Sequence, residues 1–476
     1  MIFNSITYLL MLPMSVILYW SVNKNYKTVV IFFLSLIFYG FWRFEFIILI
    51  IFSTLVDYFI AIKIYSNFKY KKKLLILSIF FNLSILFIFK YLNFFTDNIF
   101  NLAIFFGFKL DPFLTNIILP LGISFYTFQT ISYTVDVYRG EIKPEKNFFT
   151  YASYVAFFPQ LIAGPILRAK EIIPQFKNNL SFKLDNIYIG CRRIIIGLFL
   201  KVVLADNISI FVDEGFLISP DNLSAIDVWT LAFLFGFQIY FDFSAYSHIA
   251  IGSAKLFGID FPENFDFPYF ASSPKEFWKR WHISLSSWIR DYLYLPLLKI
   301  NNQNSSREGF GDLLLKKNIS KSLFITWILM GLWHGANWTF VIWGIYHAII
   351  IFFFRLVNSM QLKINTSFGW IVTLPIMMLG WIPFRSQSIE NSFEMYGKVF
   401  NLFNYTHMNM RENSYIICFL LLIGHILTYI FYNFKFLNLQ SNLIKYKSFE
   451  FIFLTMVILL TIIHFKPTNQ FIYFQF

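Results

Sequence analysis

Two histidines of this sequence occur in surroundings where an imidazole could transfer a proton. His334 lies within WILMGLWHGANWTFVIWGIYHAII, at 327–350, between Gly331 and Gly335. Imidazole, with an ordinary pKa of about 6.5, is the side chain best suited to take a hydroxyl proton near neutral pH. The flanking glycines predict room for a substrate carbonyl beside the ring. The alternative interpretation is a packed histidine that hydrogen-bonds to a neighbouring helix. His347, near the end of the same stretch, is interpreted as structural or as part of a polar seam.

His282 occurs in a second segment, which is dense in tryptophan, tyrosine and charge. Residues 274–297 read PKEFWKRWHISLSSWIRDYLYLPL. As one helix, this segment would place Trp281, Leu285 and Trp288 on a single face, and an interfacial amphipathic helix is one interpretation. The cationic groups around His282 would also suit a phosphate-bearing acyl donor. The candidate substrate-binding residues are Lys279, Arg280, Trp281, Arg290, Asp291 and, after His334, Asn337.

Asp242 lies inside the apolar run QIYFDFSAYSH, at 238–248. A carboxylate at membrane depth costs about 2.5–3.5 kcal/mol of insertion free energy unless it is paired or hydrated. Asp242 must therefore face the protein interior, either in a structural network or as a site residue. Other catalytic patterns, such as G-x-S-x-G, H-E-x-x-H and Gly-rich phosphate loops in a strand context, do not occur. With only Cys191 and Cys418, the sequence predicts neither a disulfide framework nor a cysteine metal site, and we expect no bound metal or cofactor.

The elements that hold these residues must lie in a membrane. Hydrophobic residues make up 57% of the chain and charged residues only 14%, and the mean hydropathy is +0.60. A soluble chain of this length would have too little polar surface with that mixture. Apolar runs near the span length recur from end to end, which predicts roughly ten to twelve transmembrane helices. The first run, Ile6–Trp20, has no basic segment before it and is interpreted as a retained span.

The net charge of +13 does not indicate a nucleic-acid partner, because its lysines cluster in short loops between apolar runs. This is the distribution of a cytoplasmic membrane face. Counting spans outward from these loops predicts an even number of spans, with both termini outside. The loop lysines are Lys63, Lys69, Lys71, Lys72 and Lys73 in one loop and Lys435, Lys445 and Lys447 in another.

The chain is predicted to form a single membrane domain over 1–476, with three regions that differ in residue composition. Residues 1–110 are plain apolar scaffold helices, and 366–476 return to that pattern. Residues 112–350 mix apolar stretches with polar and Pro/Gly-punctuated segments, whose irregular backbone must be buried or line a cavity. The catalytic centre is therefore expected in 112–350. A polar stretch at roughly 300–320 is predicted to be a cytoplasmic loop. No internal repeat of the kind that builds secondary transporters is visible.

Six stretches, taken in order, resemble the membrane-bound O-acyltransferase (MBOAT) family and its bacterial alginate O-acetylation branch. They lie between residues 119 and 348, a range that makes up about half of the chain. One departure from the branch pattern is Ala245–Tyr246–Ser247–His248, where Gly-Tyr-Ser/Thr-Asp is usual, and another is Leu298–Lys299–Ile300–Asn301 after the YLPL element. The matching stretches are LPLGISFYTFQTISYTVDVYRG at 119–140, FFPQLIAGPILRA at 157–169, GLFLKVVLADN at 197–207, QIYFDFSAYSHIAIG at 238–252, FPYFASSPKEFWKRWHISLSSWIRDYLYLPL at 267–297 and GLWHGANWTFVIWGIYHA at 331–348.

The resemblance implies an all-α polytopic fold in which a ring of membrane helices surrounds a thin central layer, with recesses from both faces. It implies that His334 and His282 are the catalytic histidines, and that an acyl thioester, acetyl-CoA or a carrier-linked acetyl group, is the donor. It further implies an inner-membrane enzyme among membrane lipid, which passes acetyl groups outward to a cell-surface polysaccharide through an exported acetyltransferase partner. The alternatives are peptidoglycan or a teichoic-acid-type polymer as acceptor, and a non-enzymatic transporter of an acyl or lipid-linked group.

Overall fold

The computed structural model describes residues 3–108, 117–178, 180–298, 318–360, 365–433 and 443–465. Within these ranges the regular structure is helical, with no strand, as the sequence predicted. The predicted loop at 300–320 lies almost wholly outside the described residues. The helices are α1 Ile6–Ser21, α2 Lys27–Gly40, α3 Glu45–Ser66, α4 Lys71–Leu86, α5 Leu92–Phe105, α6 Ile123–Arg139, α7 Phe148–Ala156, α8 Phe158–Leu161, α9 Ala169–Lys177, α10 Leu184–Phe199, α11 Asp206–Leu217, α12 Ala225–Leu256, α13 Pro274–Arg280, α14 Ile283–Ile289, α15 Leu295–Leu297, α16 Asn318–His334, α17 Trp338–Ser359, α18 Thr366–Leu379, α19 Trp381–Arg385, α20 Ile389–Phe400, α21 Glu412–Asn433 and α22 Leu443–His464.

Seven helical segments in the described part of the chain are long and apolar enough to cross a membrane, which confirms a multi-pass membrane protein. The apolar helices Ile6–Ser21 and Glu450–His464 are shorter. The number of long segments is below the roughly ten to twelve spans expected from the apolar runs, since several runs form short or interrupted helices. The seven segments are Glu45–Ser66, Lys71–Phe105, Leu184–Leu217, Ala225–Leu256, Trp338–Ser359, Thr366–Arg385 and Glu412–Ile430.

The chain divides into two compact units, one made of Met1–Ile194 and Tyr246–Glu263 and the other of Ile195–Ala245 and Asn264–Gln475. In the first unit, the buried Asp57 carboxylate accepts hydrogen bonds from the Ser78 hydroxyl at 2.6 Å and the Asn82 amide at 2.8 Å. These donors satisfy the carboxylate in an apolar span, so the burial of Asp57 needs no substrate to explain it.

In the second unit, Asp242 pairs with Lys201, whose Nζ lies 2.7 Å from Asp242 Oδ1 and 2.8 Å from Asp206 Oδ1. Lys201 lies in a π-helical segment, Leu200–Ala205, that joins α10 to α11. The widened turn and the two carboxylates hold the ammonium group where it is buried. Of the two interpretations for Asp242, the structure therefore supports membership of a structural network.

Candidate active site

His334 is the last residue of α16, and its side chain is 5% exposed. Its imidazole lies in an aromatic pocket. The ring centroid is 4.9 Å from that of Trp343 and 5.2 Å from that of Phe384. These rings shield the imidazole from bulk water.

The glycines on either side of His334 do not open space for a substrate, and that prediction is wrong. A Cβ at Gly331 would lie 2.2 Å from the carbonyl oxygen of Phe340, and one at Gly335 would lie 2.0 Å from the Phe340 ring. Gly344 on α17 is similar, since a Cβ there would lie 2.3 Å from the Trp327 carbonyl oxygen. The glycines instead let α16 and α17 approach closely, which fixes the position of His334 at the end of α16.

His282 breaks the single helix that the sequence predicted over 274–297. Helix α13 ends at Arg280, α14 begins at Ile283, and His282 between them has a left-handed backbone with φ +42°. Trp281, Leu285 and Trp288 therefore do not lie along one helix. A left-handed backbone is costly for histidine and is retained only where contacts hold it. Asn264 supplies such contacts, because its carbonyl oxygen accepts the Ile283 N–H at 2.9 Å.

The Asn264 side chain also determines which nitrogen of His282 carries the proton. Its Oδ1 accepts the Ser284 backbone N–H at 3.2 Å and the Ser284 hydroxyl at 2.9 Å, so this atom is an acceptor. His282 Nδ1 lies 3.1 Å from the same oxygen and must donate to it. In the neutral ring, Nε2 then carries a lone pair and accepts hydrogen bonds. His282 is thus suited to orient a hydroxyl group, and a neutral His282 cannot donate from Nε2 to a carbonyl oxygen.

The two histidines lie near the same tryptophan. The Trp333 ring centroid is 6.2 Å from that of His282 and 4.9 Å from that of His334. The structure therefore brings together, in one unit, the two residues that the sequence proposed as catalytic.

A cavity of about 450 Å³ opens beside this centre, within the range of small-molecule sites. Its wall comes from α13, α14, the π-helical segment Arg290–Tyr294, α16 and α17. It includes Trp278, Trp327 and Met330, and Met330 lies one helical turn before His334. Neither histidine is among the described residues that line it. Four cationic side chains line the cavity, and no carboxylate is among its described lining residues. These cations are Lys275, Lys279, Arg290 and Arg355.

Of the predicted substrate-binding residues, Lys279 and Arg290 line this cavity. Arg280 does not, because its guanidinium donates to Glu276 at 2.8 and 3.0 Å. Asp291 accepts a hydrogen bond from Arg290 Nε at 2.8 Å. Trp281 is buried among aromatic rings, with its centroid 4.9 Å from that of Trp381.

Asn337 caps helix α17 through the Thr339 N–H at 3.0 Å and is exposed. It follows His334 by only three positions, but its side chain is engaged by the backbone of the next helix. Asn337 is not among the described residues that line the cavity, and its role in substrate binding stays a prediction.

Lys275 and Arg355 were missed by the sequence analysis. Lys275 lies one helical turn before Lys279 on α13, so the two lysines share a face. Arg355 lies in the apolar helix α17, where an arginine is expensive and indicates a function or a partner. Its guanidinium donates to the Tyr294 hydroxyl at 3.3 Å. The sequence contained a signal for each residue. Lys275 forms a basic i, i+4 pair with Lys279, and Arg355 is a cation within an apolar helix.

Burial lowers the pKa of Lys275, and the positive charges of Lys279 and Arg355 lower it further. The contributions of Lys279 and Arg355, which are smaller than that of burial, reflect repulsion among the cations of the cavity. An anion bound among them would relieve the repulsion and favour the charged lysine. Among the described residues, no group of three or more His, Cys, Asp or Glu side chains could hold a metal ion.

Residues 141–382 match the sequence profile of the membrane-bound O-acyltransferase family. The chain is 37% identical to the probable alginate O-acetylase of Pseudomonas putida, over 84% of this chain and 80% of that protein. The chain belongs to the membrane-bound O-acyltransferase family. It is therefore an acyltransferase, and the resemblance seen in its six motifs is confirmed.

Two proteins that act on other polymers, according to their names, are also similar to this chain. The peptidoglycan O-acetyltransferase of Helicobacter pylori is 35% identical over 76% of this chain and 71% of that protein. The teichoic acid D-alanyltransferase of Bacillus subtilis is 29% identical over 53% of this chain and 62% of that protein. These relatives use different acceptors according to their names, so family membership alone leaves the acceptor of this MBOAT protein open.

We expect His282→Ala to cause a large loss of acyl transfer and His282→Gln a smaller one. Glutamine can present a carbonyl oxygen as an acceptor, whereas alanine cannot. Both variants meet the same left-handed backbone, so backbone strain does not separate them. The measurement is the initial rate of transfer by the purified variants. Equal rates for both variants and the parent would return His282 to a packing role.

Proposed function

We propose that this MBOAT protein transfers an acetyl group from a cytoplasmic thioester to a hydroxyl group of a cell-surface polysaccharide. The observation that carries the proposal is the buried imidazole of His334 beside a cavity lined by cations and aromatic rings. The similarity to alginate O-acetylases over 84% of the chain supports acetyl as the acyl group and a polysaccharide as the acceptor.

The proposed donor is acetyl-CoA or an acetyl group on a carrier, and it binds in the cationic cavity. Both donors join the thioester to a phosphate through a pantetheine arm. The phosphate would lie near Lys275, Lys279, Arg290 and Arg355, and the arm against the Trp278 and Trp327 rings. Arg355 and Tyr294 form one wall, with the guanidinium 5.9 Å from the ring centroid. Because the inner wall is aromatic, water is kept from the thioester.

In the proposed reaction, His334 takes the proton of the acceptor hydroxyl as its oxygen attacks the thioester carbonyl carbon. His282 accepts a hydrogen bond at Nε2 and orients the acceptor. Because Asn264 occupies the Nδ1 proton, a neutral His282 has no second N–H with which to polarise the thioester carbonyl.

The similarity to a peptidoglycan O-acetyltransferase, at 35% identity, favours peptidoglycan as the second candidate acceptor. An exported acetyltransferase would serve as partner in either case, by moving the acetyl group onto the finished polymer. Adjacent genes for a polymer synthase would favour the polysaccharide. The direct test is the O-acetyl content of each surface polymer, extracted from cells that lack the gene and from cells complemented with it. A normal acetyl content in all polymers of the deletion strain would contradict the proposed function.

The inner membrane is the proposed location, with the lysine-rich loops in the cytoplasm and both termini outside. In a Cys191→Ser background, which removes an exposed thiol, a cysteine at Ser66 should react with an impermeant reagent only after the membrane is opened. Ser66 is exposed at the end of α3. A cysteine at Asn469, beyond the described residues, should react in intact cells. Reversal of both results would place the donor cavity on the wrong side.

Raising the pH should weaken donor binding through Lys275. The pKa of Lys275 is depressed, so this lysine loses its charge at a lower pH than an ordinary lysine. Deprotonation removes an attraction for phosphate, so the KM for acetyl-CoA should rise as the pH is raised, and the rise should begin below the pH at which an ordinary lysine loses its charge. Arginine keeps its charge, so Lys275→Arg should show a smaller rise. The same pH dependence in the parent and in Lys275→Arg would show that another group is responsible.

A further inference from the structure

Three aromatic side chains form a compact group between the cavity and His334, which we call the indole–imidazole cluster. It consists of Trp278 on α13 and of Trp343 and His347 on α17. The ring centroids of Trp343 and His347 are 4.8 Å apart, and those of Trp278 lie 5.7 Å from Trp343 and 4.9 Å from His347. The three side chains are buried, with Trp343 at 0% and His347 at 1% exposure.

The polar atoms of this cluster have no hydrogen-bond partner among the residues that the structure describes. These atoms are Nε1 of both tryptophans and both ring nitrogens of His347. An indole only donates, and a neutral imidazole has one donor and one acceptor. The cluster therefore holds three N–H donors and a single acceptor. Buried donors without acceptors are unfavourable, so this surplus points to a ligand that brings oxygen acceptors.

The cluster connects the cavity wall to His334. Trp278 lines the cationic cavity, and the Trp343 ring contacts the His334 ring at a centroid distance of 4.9 Å. In the proposed function, an acyl group that enters by the cavity would meet these indoles before it reached His334. The same region needs a donor to the carbonyl, since the Nδ1 proton of His282 is held by Asn264.

We propose that the Trp343 indole N–H is the donor that polarises the acyl carbonyl, with Trp278 and His347 as the neighbouring donors that position the thioester arm. This assignment rests on the proposed function and adds a catalytic residue to it. Trp343 therefore has a catalytic role that the packed aromatic side chains around it lack, because its N–H acts on the carbonyl oxygen of the thioester.

The proposed transfer conserves atoms and charge. The acceptor hydroxyl oxygen forms a bond to the carbonyl carbon, His334 takes the hydroxyl proton, and the carbonyl oxygen becomes negative. The Trp343 N–H stabilises this oxyanion more strongly than it binds the ground-state carbonyl, which accelerates the reaction. The carbon–sulfur bond then breaks, and the leaving thiolate takes the proton from His334.

The test removes the N–H without changing the ring volume. Replacing Trp343 by 3-benzothienylalanine, in which sulfur stands for the N–H, should lower the rate of acetyl transfer by about 10²–10³-fold, as for other oxyanion donors. The KM for the donor should change little. The matched control is the same replacement at Trp370, whose N–H donates to the Tyr269 carbonyl oxygen at 2.8 Å. That variant should lose thermal stability and keep its transfer rate.

A spectroscopic readout separates polarisation from packing. The probe is S-acetyl phosphopantetheine with carbon-13 at the thioester carbonyl, and the measurement is isotope-edited infrared difference spectroscopy. In the parent protein, the carbonyl band of the bound probe should lie at lower frequency than in water, and the Trp343 replacement should move it back. An unchanged band, or an unchanged transfer rate, in the Trp343 replacement would overturn the assignment.

The His334 and Trp343 variants distinguish a failure of the Trp343 assignment from a failure of the proposed function. If His334→Ala abolishes transfer while the Trp343 replacement is fully active, only the assignment of the indole is wrong. If His334→Ala keeps the parent rate, or if the probe does not bind to the unmodified protein, the proposed function itself is contradicted and the indole assignment falls with it.

Discussion

His334→Ala should lower the rate of acetyl transfer by about 10²–10⁴-fold, the usual contribution of a general base. The variant loses the group that takes the hydroxyl proton at the end of α16. The imidazole is also packed against Trp343 and Phe384, so alanine leaves a small cavity and lowers stability as well. The measurement is the initial rate with purified protein, together with the yield of membrane-inserted protein.

A second substitution separates catalysis from packing. His334→Asn keeps a polar, planar side chain in the pocket but cannot exchange a proton near neutral pH, so it should be nearly as inactive as His334→Ala. His407→Ala is the matched control, because His407 is exposed in a loop and should tolerate the change. Near-parent activity in His334→Asn would show that His334 acts by filling space.

Acetyl groups should cross the membrane through this protein, so that the label from a donor on one side appears on an acceptor on the other. A phosphate-bearing thioester cannot traverse about 30 Å of hydrocarbon unaided. The acetyl group is small and uncharged. A basic cavity that holds the phosphate, followed by the aromatic wall around Trp278 and Trp327, would retain the donor and let only its acyl end approach His334.

Sealed vesicles test this crossing. Labelled acetyl-CoA is trapped inside, and an oligosaccharide acceptor, alone or with an exported partner acetyltransferase, is added outside. Label should appear outside with the parent protein and with His407→Ala, and not with His334→Ala. Opening the vesicles with detergent should leave the His334 requirement unchanged. Label that appears only on acceptors trapped with the donor would refute the crossing while the family assignment stands.

The sequence was sufficient to predict the fold class and to single out two histidines that the structure buries near one tryptophan, whereas their catalytic roles stay predictions. Both follow from the cost of polar groups in apolar surroundings, which is a local property that composition exposes. His334 stands out because its neighbours are apolar, and Asp242 for the same reason. Lys279 and Arg290 could be predicted because they flank His282 along the chain.

The break at His282 and the cavity wall could not be predicted in the same way. No glycine or proline marks the break, and the residue that holds it, Asn264, lies 18 positions earlier. The cavity joins α13 and α14 to α16 and α17, so Lys275 and Arg355 become neighbours only after folding. Gly331 and Gly335 were misjudged because a missing side chain leaves room for a substrate or for another helix, and the sequence does not say which.

The ion pair of Lys201 with Asp242 also bears on how the protein is made. The apolar segment Leu184–Leu217 carries Lys201 and Asp206. The next apolar segment, Ala225–Leu256, carries Asp242, which pairs with Lys201 of the preceding segment. An aspartate that enters lipid before it meets its lysine would cost about 2.5–3.5 kcal/mol. The first segment must therefore still be beside the insertion machinery when the second arrives, and the two enter the bilayer as a hairpin. A substitution that breaks the Lys201–Asp242 ion pair would appear as degradation of the nascent chain, before the protein meets any substrate.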